Sequence, residues 1–527
     1  MRKSKRVGKP GARYAALLAG TAFLTGCSVG PDFKRPSVWS PAGWQTHDKN
    51  MAGDRPAPTT SVVVADPPET RWWGIFNDPE LSALEDRVAR SNLDVRLAGI
   101  RLAESRAQLR ITGADRYPTL TGNGSYAYTK ISDKLIQRGL SNGLDDLPLP
   151  GPTLDAAKAY AGGVSTPALN IWEDGISASW ELDIWGRVRR EVEQGRANVT
   201  ASEEDRRSVL IMRLAEMARD YMLLRGTQSQ LLIARENQKT AEETLKLSQE
   251  RFTGGLTTQL DVENARAQLD TTTAQIPNFE QQISQQVNAI SLLLGEPPQA
   301  LLAELEVNEP VPPVPPRVPV GVPSELARRR PDVREAEARL HAATAGVGVA
   351  VADFYPRVTL TGALNFQSLA YRDLAFWPAA AYNAGPSISL PIFQGGRLRG
   401  QLQLTKAQQE EAAISYQQTV LSAWHDVDNA LTAYGAEQRR RDQLASSVDA
   451  ARRALDLARE QYAHGLQTFL NVLDAQRTLL SAQQQLTTST QTVSSNLVQL
   501  YAALGGGWEA TFPARLDADG MQRTASR

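Results

Sequence analysis

The chain has 527 residues, of which 42% are hydrophobic and 22% are charged. This composition excludes an intrinsically disordered protein, which would be poorer in apolar side chains. The 57 basic and 58 acidic residues give a net charge of −1. The chain therefore lacks the excess of basic residues that would favour a nucleic-acid partner. One cysteine and four histidines exclude a disulfide framework and a zinc site built from spaced Cys and His pairs.

Residues 1–26 have the features of a bacterial lipoprotein signal peptide. Six basic residues precede a mostly apolar segment from Tyr14 to Thr25, which is too short to span a membrane. It leads into Leu-Thr-Gly-Cys27, the pattern at which a thiol is acylated and becomes the first mature residue. We therefore predict covalent lipid on Cys27, where each buried methylene contributes about 0.8 kcal/mol of anchoring, and no other cofactor. The alternative is a plain signal peptide with a chance cysteine.

The remainder of the chain is predicted to consist of two copies of one sequence repeat. The segment from Asn92 to Arg96 is echoed 238 residues later by Arg330 to Arg334, and Ala114 to Pro118 is echoed at the same offset. From Ser177 onward the offset is 210, and it stays 210 as far as Leu294 and Leu504. The change in offset means that the first copy carries 28 extra residues between its two strands. The Gly and Pro content of these extra residues predicts an exposed loop.

These patterns divide the chain into segments. A proline-rich connector separates the two copies, and its proline density favours an extended path over a helix. The predicted segments are 1–26, signal peptide; 27–76, lipid-anchored tether; 77–296, first repeat; 297–323, connector; 324–507, second repeat; and 508–527, a loose tail.

The sequence pattern of each repeat predicts a helix, a β-hairpin, a long helix and a return helix. The first helix begins at Asp78-Pro79, an N-cap followed by proline in the first turn, and runs to about Gly113. Strands such as the one beginning near Val358 alternate apolar and polar residues, as transmembrane strands do. A half-exposed sheet in a soluble protein uses the same alternation and remains an alternative.

The long helices are the most distinctive prediction. About 70 residues without proline separate Gly186 from Gly254, and Gly396 from Gly465, so each helix is about 100 Å long. Pro277 predicts a kink in the first return helix. Heptad spacing predicts a packing seam in each long helix. The seam residues are Leu444, Val448, Ala451, Leu455, Ala458 and Tyr462, with Ala234, Gln238, Ala241, Leu245, Ser248 and Phe252 in the first copy.

Several motifs resemble those of the TolC superfamily, in particular its lipoprotein branch of OprM-, CusC- and NodT-like proteins. The motifs run from Val29 to Pro36, from Trp72 to Leu81, from Arg330 to Arg334, from Phe354 to Pro356 and from Gly385 to Arg397.

The resemblance implies a mixed α and β membrane fold: a homotrimer with a twelve-stranded outer-membrane β-barrel, four strands per chain, continued by a long periplasmic α-helical barrel. It implies the exit duct of a tripartite efflux system, with a periplasmic adaptor (membrane-fusion protein) and an inner-membrane transporter of the RND type as partners. Ser28 after the cysteine favours the outer membrane, by resemblance to Gram-negative lipoproteins.

The resemblance also places a periplasmic gate on the second copy. Leu470, Asp474 and Arg477 share one helix face just past the turn, and rings of these residues would exclude water and form ionic latches. The first copy departs from this pattern, with Asp261 as a lesser candidate. The alternative is an ordinary solvated helix pair. The hairpin tips predicted to dock the adaptor carry Gly254, Gly255, His464 and Gly465.

Other function classes remain as alternatives. A type I protein-secretion duct shares the fold, and a structural periplasmic coiled-coil lipoprotein shares the heptads and the lipidation signal. We predict no enzyme and no metal site, because His425, Asp426 and Asp428 read as solvated helix residues. A passive duct accepts what its pump delivers, so the sequence predicts no particular substrate.

Overall fold

The computed structural model describes residues 28–37, 44, 61–67, 69–145, 147–323, 325, 329–374 and 376–511. The predicted signal peptide, Cys27 and residues 512–527 of the predicted tail lie outside this part of the chain. The strands are β1 Val62–Val64, β2 Thr119–Thr129, β3 Leu169–Leu182, β4 Arg317–Pro319, β5 Arg357–Ser368 and β6 Ala380–Ser389. The helices are α1 Pro79–Ser91, α2 Leu93–Ala114, α3 Asp133–Asp145, α4 Gly151–Gly162, α5 Arg187–Thr253, α6 Gln259–Thr273, α7 Gln275–Leu294, α8 Leu302–Leu305, α9 Pro331–Ala352, α10 Arg397–Ala463, α11 Phe469–Ala503 and α12 Trp508–Thr511.

The chain divides into two compact units. The strand unit comprises Leu109–Gln194, Thr344–Ala407 and the described residues up to Asp32. The helical unit comprises Phe33–Gln108, Gly195–Ala343 and the described residues from Gln408 onward. None of the described helices combines the length and the apolar composition that crossing a bilayer requires.

The strand unit is built on an antiparallel sheet in the order β2-β3-β5-β6. Residues opposite each other in such a sheet share a face. Leu120 lies opposite Ala178, and Ile176 is flanked by Leu364, which in turn lies opposite Tyr382. One face is therefore largely apolar across all four strands, whereas the other carries residues such as Thr121, Ser177, Thr359 and Ser387. The predicted alternation is confirmed, and β2 and β6 are the two edges of the described sheet.

The 28 extra residues of the first copy were expected to form a loop, and this expectation was wrong. The segment between β2 and β3 contains α3 and α4, which together form a helical pair. Pro150 and Pro152 lie at the start of α4, where a missing N–H costs no helical hydrogen bond. The prolines that suggested a loop therefore begin a helix.

The predicted first helix is divided at Asn92. The side-chain oxygen of Asn92 accepts hydrogen bonds from the N–H groups of Asp94 and Val95, so Asn92 begins α2 as it ends α1. Its Nδ2 donates to the carbonyl oxygen of Leu293, near the end of α7, at 2.7 Å. At the corresponding place in the second copy, Arg330 Nη1 donates to the carbonyl of Ala503 at 3.0 Å. Side chains thus join the short and return helices end to end.

The long and return helices agree with the sequence prediction. Helices α5 and α10 each have 67 residues, and their bounds differ by 210 at both ends. The first return helix is broken at Ala274, three residues before Pro277, into α6 and α7. Helix α11 continues without a break. We call α5 with α6 and α7 the first helical hairpin, and α10 with α11 the second.

The seam prediction is correct for the second hairpin and partly wrong for the first. Val448, Ala451, Leu455 and Tyr462 are buried together, with Leu444 and Ala458 half-buried. In α5, however, Gln238, Leu245 and Phe252 are not buried. The buried positions of this helix segment are small or polar, namely Ala234, Asn237, Ala241, Thr244 and Ser248. The predicted seam is thus correct at Ala234, Ala241 and Ser248, whereas Asn237 and Thr244 are buried in place of Gln238 and Leu245.

The helical unit has a large aromatic core. Trp72, Trp73 and Phe76 are each 1% exposed, and the ring of Trp72 stacks on Tyr501 at 5.8 Å. Gly507 has φ +108°, and an added Cβ would meet Trp72 Nε1 at 2.8 Å, so only glycine fits there. Residue 508, predicted to begin a loose tail, instead starts α12, and the Trp508 ring lies 4.4 Å below the guanidinium of Arg207. Partial burial of the Trp508 ring explains the difference.

The tether and the connector meet in the helical unit. Strand β1 pairs in parallel with β4, and Ser61 N donates to Gln438 Oε1 at 2.7 Å. Nearer the N-terminus, Arg35 pairs with Glu337 at 2.6 Å. The connector was expected to be extended; it is so at β4, but it also contains the single helical turn α8.

A carboxyl pair between α1 and α8 predicts a pH effect. Burial and the nearby Glu304 raise the pKa of Glu80 from 4.5 to about 7. The positive charge of Arg225 lowers this pKa, but by less than the other two effects raise it. Between these two values the folded chain holds a proton that the unfolded chain releases, so the free energy of unfolding should fall as pH rises through this window. In Glu80→Gln this contribution disappears. Thermal midpoints from about pH 5 to about pH 8 should therefore fall less steeply in Glu80→Gln than in wild type.

Glu242→Gln, on an exposed part of α5, is the control and should follow the wild-type curve. A wild-type slope in Glu80→Gln would contradict the assignment.

Candidate functional site

The two hairpin tips have the same backbone geometry. Gly255 and Gly465 have φ +73° and +72°, the left-handed conformation that ends a helix and favours glycine. Leu256 N donates to the carbonyl of Arg251, and Leu466 N to that of Gln461, each at 2.8 Å. Each long helix therefore turns back within five residues.

The predicted docking residues lie at these tips. Gly254 and His464 are the first residues after each long helix, directly before the left-handed glycine. The side chains that follow are apolar and open to solvent, with Leu256 69% and Leu466 74% exposed. The tips thus present exposed leucines on short, well-defined turns.

The predicted gate residues share the exposed face of α11. Leu470 is 68% exposed, and Asp474 and Arg477 are exposed as well. The opposite face buries Phe469, Val472, Leu473, Gln476 and Leu479 against the rest of the helical unit. Burial on one side leaves the three gate candidates directed away from the hairpin's own core.

The charges of this face are not paired with each other within the described chain. Asp474 has no hydrogen-bond or ion-pair partner among the described residues, whereas Arg477 Nε donates to Gln268 Oε1 of α6 at 2.9 Å. Asp474 is therefore available to a group outside the chain. Arg477 already ties the second hairpin to the first.

The first hairpin is different at the corresponding positions. Leu260 is 68% exposed, as Leu470 is, but Asn264 is half-buried and Ala267 carries no charge. Asp261, the lesser candidate, accepts hydrogen bonds from Thr257 Oγ1 and, at 3.4 Å, from Thr258 N. Its carboxylate therefore caps α6.

Sequence reasoning missed Arg251. Its Nη1 donates to the carbonyl of Ala463 at 2.9 Å, and its guanidinium lies 4.7 Å from the ring of Tyr462, which contacts Phe469. Farther along, Arg459 Nη2 donates to Thr240 O and Thr244 Oγ1, both at 3.3 Å. Arginines thus join the two hairpins near their tips, in contacts between residues more than 200 apart that no local pattern signals.

The described residues include no group of three or more His, Cys, Asp or Glu side chains placed to hold a metal ion. Asp426, named above as a metal-ligand type, accepts a hydrogen bond from Arg330 at 3.0 Å.

Comparison with known proteins identifies the family to which this architecture belongs. Residues 84–296 and 322–506 match the family described as outer membrane efflux protein. The chain belongs to this family. It is 30% identical to the probable outer membrane lipoprotein SilC of Salmonella typhimurium over 488 residues, covering 92% of this chain and 97% of SilC. It is 32% identical to the solvent efflux pump outer membrane protein SrpC of Pseudomonas putida, covering 93% and 97%.

A solved structure agrees with the assignment. The outer-membrane channel OprN superposes with a TM-score of 0.80 at 32% identity, covering 92% of this chain and all of OprN. Members of the outer membrane efflux protein family are channels rather than enzymes. The protein therefore lies in the outer membrane, where it is the exit duct of a tripartite efflux system.

Proposed function

We propose that three copies of the chain close one twelve-stranded barrel. The observation that carries this proposal is the four-stranded sheet with one largely apolar face and two free edges. Lipid does not tolerate an open edge, and the smallest closed barrels of the outer membrane have about eight strands. Four strands therefore need other copies, and the family resemblance supports three.

The helical hairpins would supply the periplasmic part of the duct, as a helical barrel in which each long helix reaches about 100 Å. The exposed leucines at the tips suit an apolar groove on a periplasmic adaptor, which would connect the duct to an RND-type transporter. Lipid on Cys27 would add an anchor to the outer membrane. The duct is passive, so energy comes from the transporter.

The gate would form where the copies bring their α11 helices together. Rings of Leu470 would exclude water, while Asp474 and Arg477 of neighbouring copies would form ion pairs that break on opening. Asp474, which is exposed and has no partner within the described chain, is the group best placed to cross between copies.

Adjacent residues of β3 test which face meets lipid. Ile176 is on the apolar face of this central strand, and Ser177 is on the polar face. An arginine in lipid costs about 2–4 kcal/mol near the bilayer midplane, whereas the lumen tolerates it. Ile176→Arg should therefore strongly reduce the amount of protein in the outer membrane, and Ser177→Arg should leave it near wild type.

The measurement is the amount of protein in outer-membrane fractions, followed by single-channel recording of the purified protein in planar bilayers. The wild type and Ser177→Arg should give discrete conductance steps and a mass of three chains in detergent. Equal membrane levels for the two variants, or a wild type that is monomeric and does not conduct, would refute the proposed barrel.

A further inference from the structure

The sheet contains a template for the contact between copies. Within the chain, β3 of the first copy pairs with β5 of the second, from Trp172 opposite Ser368 to Leu182 opposite Val358. Just beyond the strands, the Trp185 ring stacks on Tyr355 at 4.8 Å, and Trp185 Nε1 donates to the carbonyl of Pro356 at 2.9 Å. The end of one hairpin thus covers the beginning of the next.

The two hairpins use the same register. Thr119 lies opposite Ser179 in the first hairpin, and Arg357 lies opposite Ser389 in the second. These pairs are related by the offsets 238 and 210 that relate the two sequence copies. By the same offsets, β6 is the counterpart of β3, and β2 is the counterpart of β5. The counterparts β6 and β2 are the two free edges of the described sheet.

The side chains at and just beyond these edges are more exposed than their counterparts. Ile392, three residues after β6, is 90% exposed and Leu120 of β2 is 73% exposed, whereas their counterparts Leu182 and Val358 are half-buried. Tyr117 is 70% exposed, against 37% for its counterpart Tyr355. Apolar residues at this density on an edge indicate an interface, and the symmetry of the repeat specifies another copy of this chain as its partner.

We infer that β6 of one copy pairs antiparallel with β2 of the next copy in the register that β3 and β5 use within the chain. This register places Ser387 opposite Ser125 of the next copy, Ser389 opposite its Asn123, and Ile392 against its Leu120. Each pair shares a face as the template requires, with Ile392 and Leu120 on the apolar side. The inference rests on the proposed homotrimer and adds the register of its seam.

The position that corresponds to Trp185 departs from the template. Gly395 stands where Trp185 stands in the first copy, so the stacking contact and its hydrogen bond have no equivalent between copies. Phe393, which is 88% exposed beside Ile392, is the large apolar side chain available instead. The seam between copies is therefore closed by Ile392 and Phe393 against Leu120 and Tyr117, without the tryptophan.

Disulfide cross-linking in the full-length protein tests the register. Opposed residues in antiparallel strands have Cα atoms about 4.5–5.5 Å apart, within disulfide reach. Ser125→Cys with Ser387→Cys should give covalently linked chains, up to three, on mild oxidation. The matched control pairs Ser125→Cys with Ser389→Cys on the same face, displaced by two residues to about 7–8 Å, and should cross-link far less. Each single variant, which retains Cys27, controls for that cysteine.

Every product must form between copies, because the two edges of one sheet are three strand spacings, or about 14 Å, apart. Cross-linking of the Ser387 pair in preference to the Ser389 pair supports the inference. Preferential cross-linking of the Ser389 pair, or no cross-linking in a sample with the mass of three chains, overturns the register while leaving the trimer intact. A sample that does not have the mass of three chains overturns both.

Discussion

Replacing Asp474 by alanine is expected to raise the single-channel conductance of the reconstituted protein. The carboxylate is exposed and has no partner in the described chain, so in the proposed trimer it is free to pair with a neighbouring copy. Removing it would break one latch in each copy and shift the population toward open states. Arg477→Ala should act in the same direction. Because Arg477 also donates to Gln268, its loss would in addition remove one of the bonds between the second hairpin and the first.

Planar-bilayer recordings at one salt concentration measure this effect, and we expect an increase of severalfold for each variant. Asp270→Ala is the control, because Asp270 is an exposed acid on the return helix of the first hairpin. Ion pairs between exposed groups are screened by salt, so the difference from wild type should shrink at high ionic strength. Unchanged conductance in both gate variants would remove Asp474 and Arg477 from the gate.

The two hairpins differ in a way that bears on the proposed gate. The second hairpin buries Tyr462 and Phe469 near its tip, whereas Phe252, the counterpart of Tyr462, is 43% exposed. The seam of α5 consists of small and polar side chains such as Thr244 and Ser248. The second hairpin is therefore the better packed of the two. A gate on its outer face can be held by surface charges while the hairpin's own core stays intact.

The large elements of the fold were predictable because they depend on local patterns. Two stretches of about 70 residues without proline, each bounded by glycine, require long helices, and Pro277 marks the break in the return helix. The break at Asn92 was missed because it depends on side-chain capping and on a bond to Leu293. The helices α3 and α4 were missed because proline at the start of a helix resembles proline in a loop.

Contacts between residues that are distant in the chain could not be predicted from the sequence. Arg251 meets Ala463 across 212 residues, and nothing local distinguishes it from the other arginines of α5. The gate candidates came from the family resemblance; the structure adds that one of them, Arg477, binds Gln268 within the chain. The offsets between the two copies were visible in the sequence, but their meaning for the seam required the strand register.

Arg225→Ala is expected to be the most destabilising of the substitutions considered. Arg225 is 2% exposed in α5, and its Nη1 donates to the carbonyl of Val307 at 2.6 Å and to Gln228 Oε1 at 2.9 Å. Its Nη2 donates to the hydroxyl of Tyr221 at 3.0 Å and pairs with Glu309 at 3.4 Å. This one guanidinium therefore makes two of the bonds between the connector and the first long helix.

Alanine at this position would leave buried acceptors without donors and open a cavity, at a combined cost of about 3 kcal/mol or more. Arg225→Lys would recover only part of the loss, because an ammonium does not reproduce the planar fork that reaches several acceptors. Arg219→Ala, an exposed arginine six residues earlier on the same helix, should change stability by less than about 0.5 kcal/mol. Thermal unfolding of the detergent-solubilised protein measures all three. Equal stability losses in Arg219→Ala and Arg225→Ala would show that the guanidinium network is dispensable and that the connector is held by its other contacts.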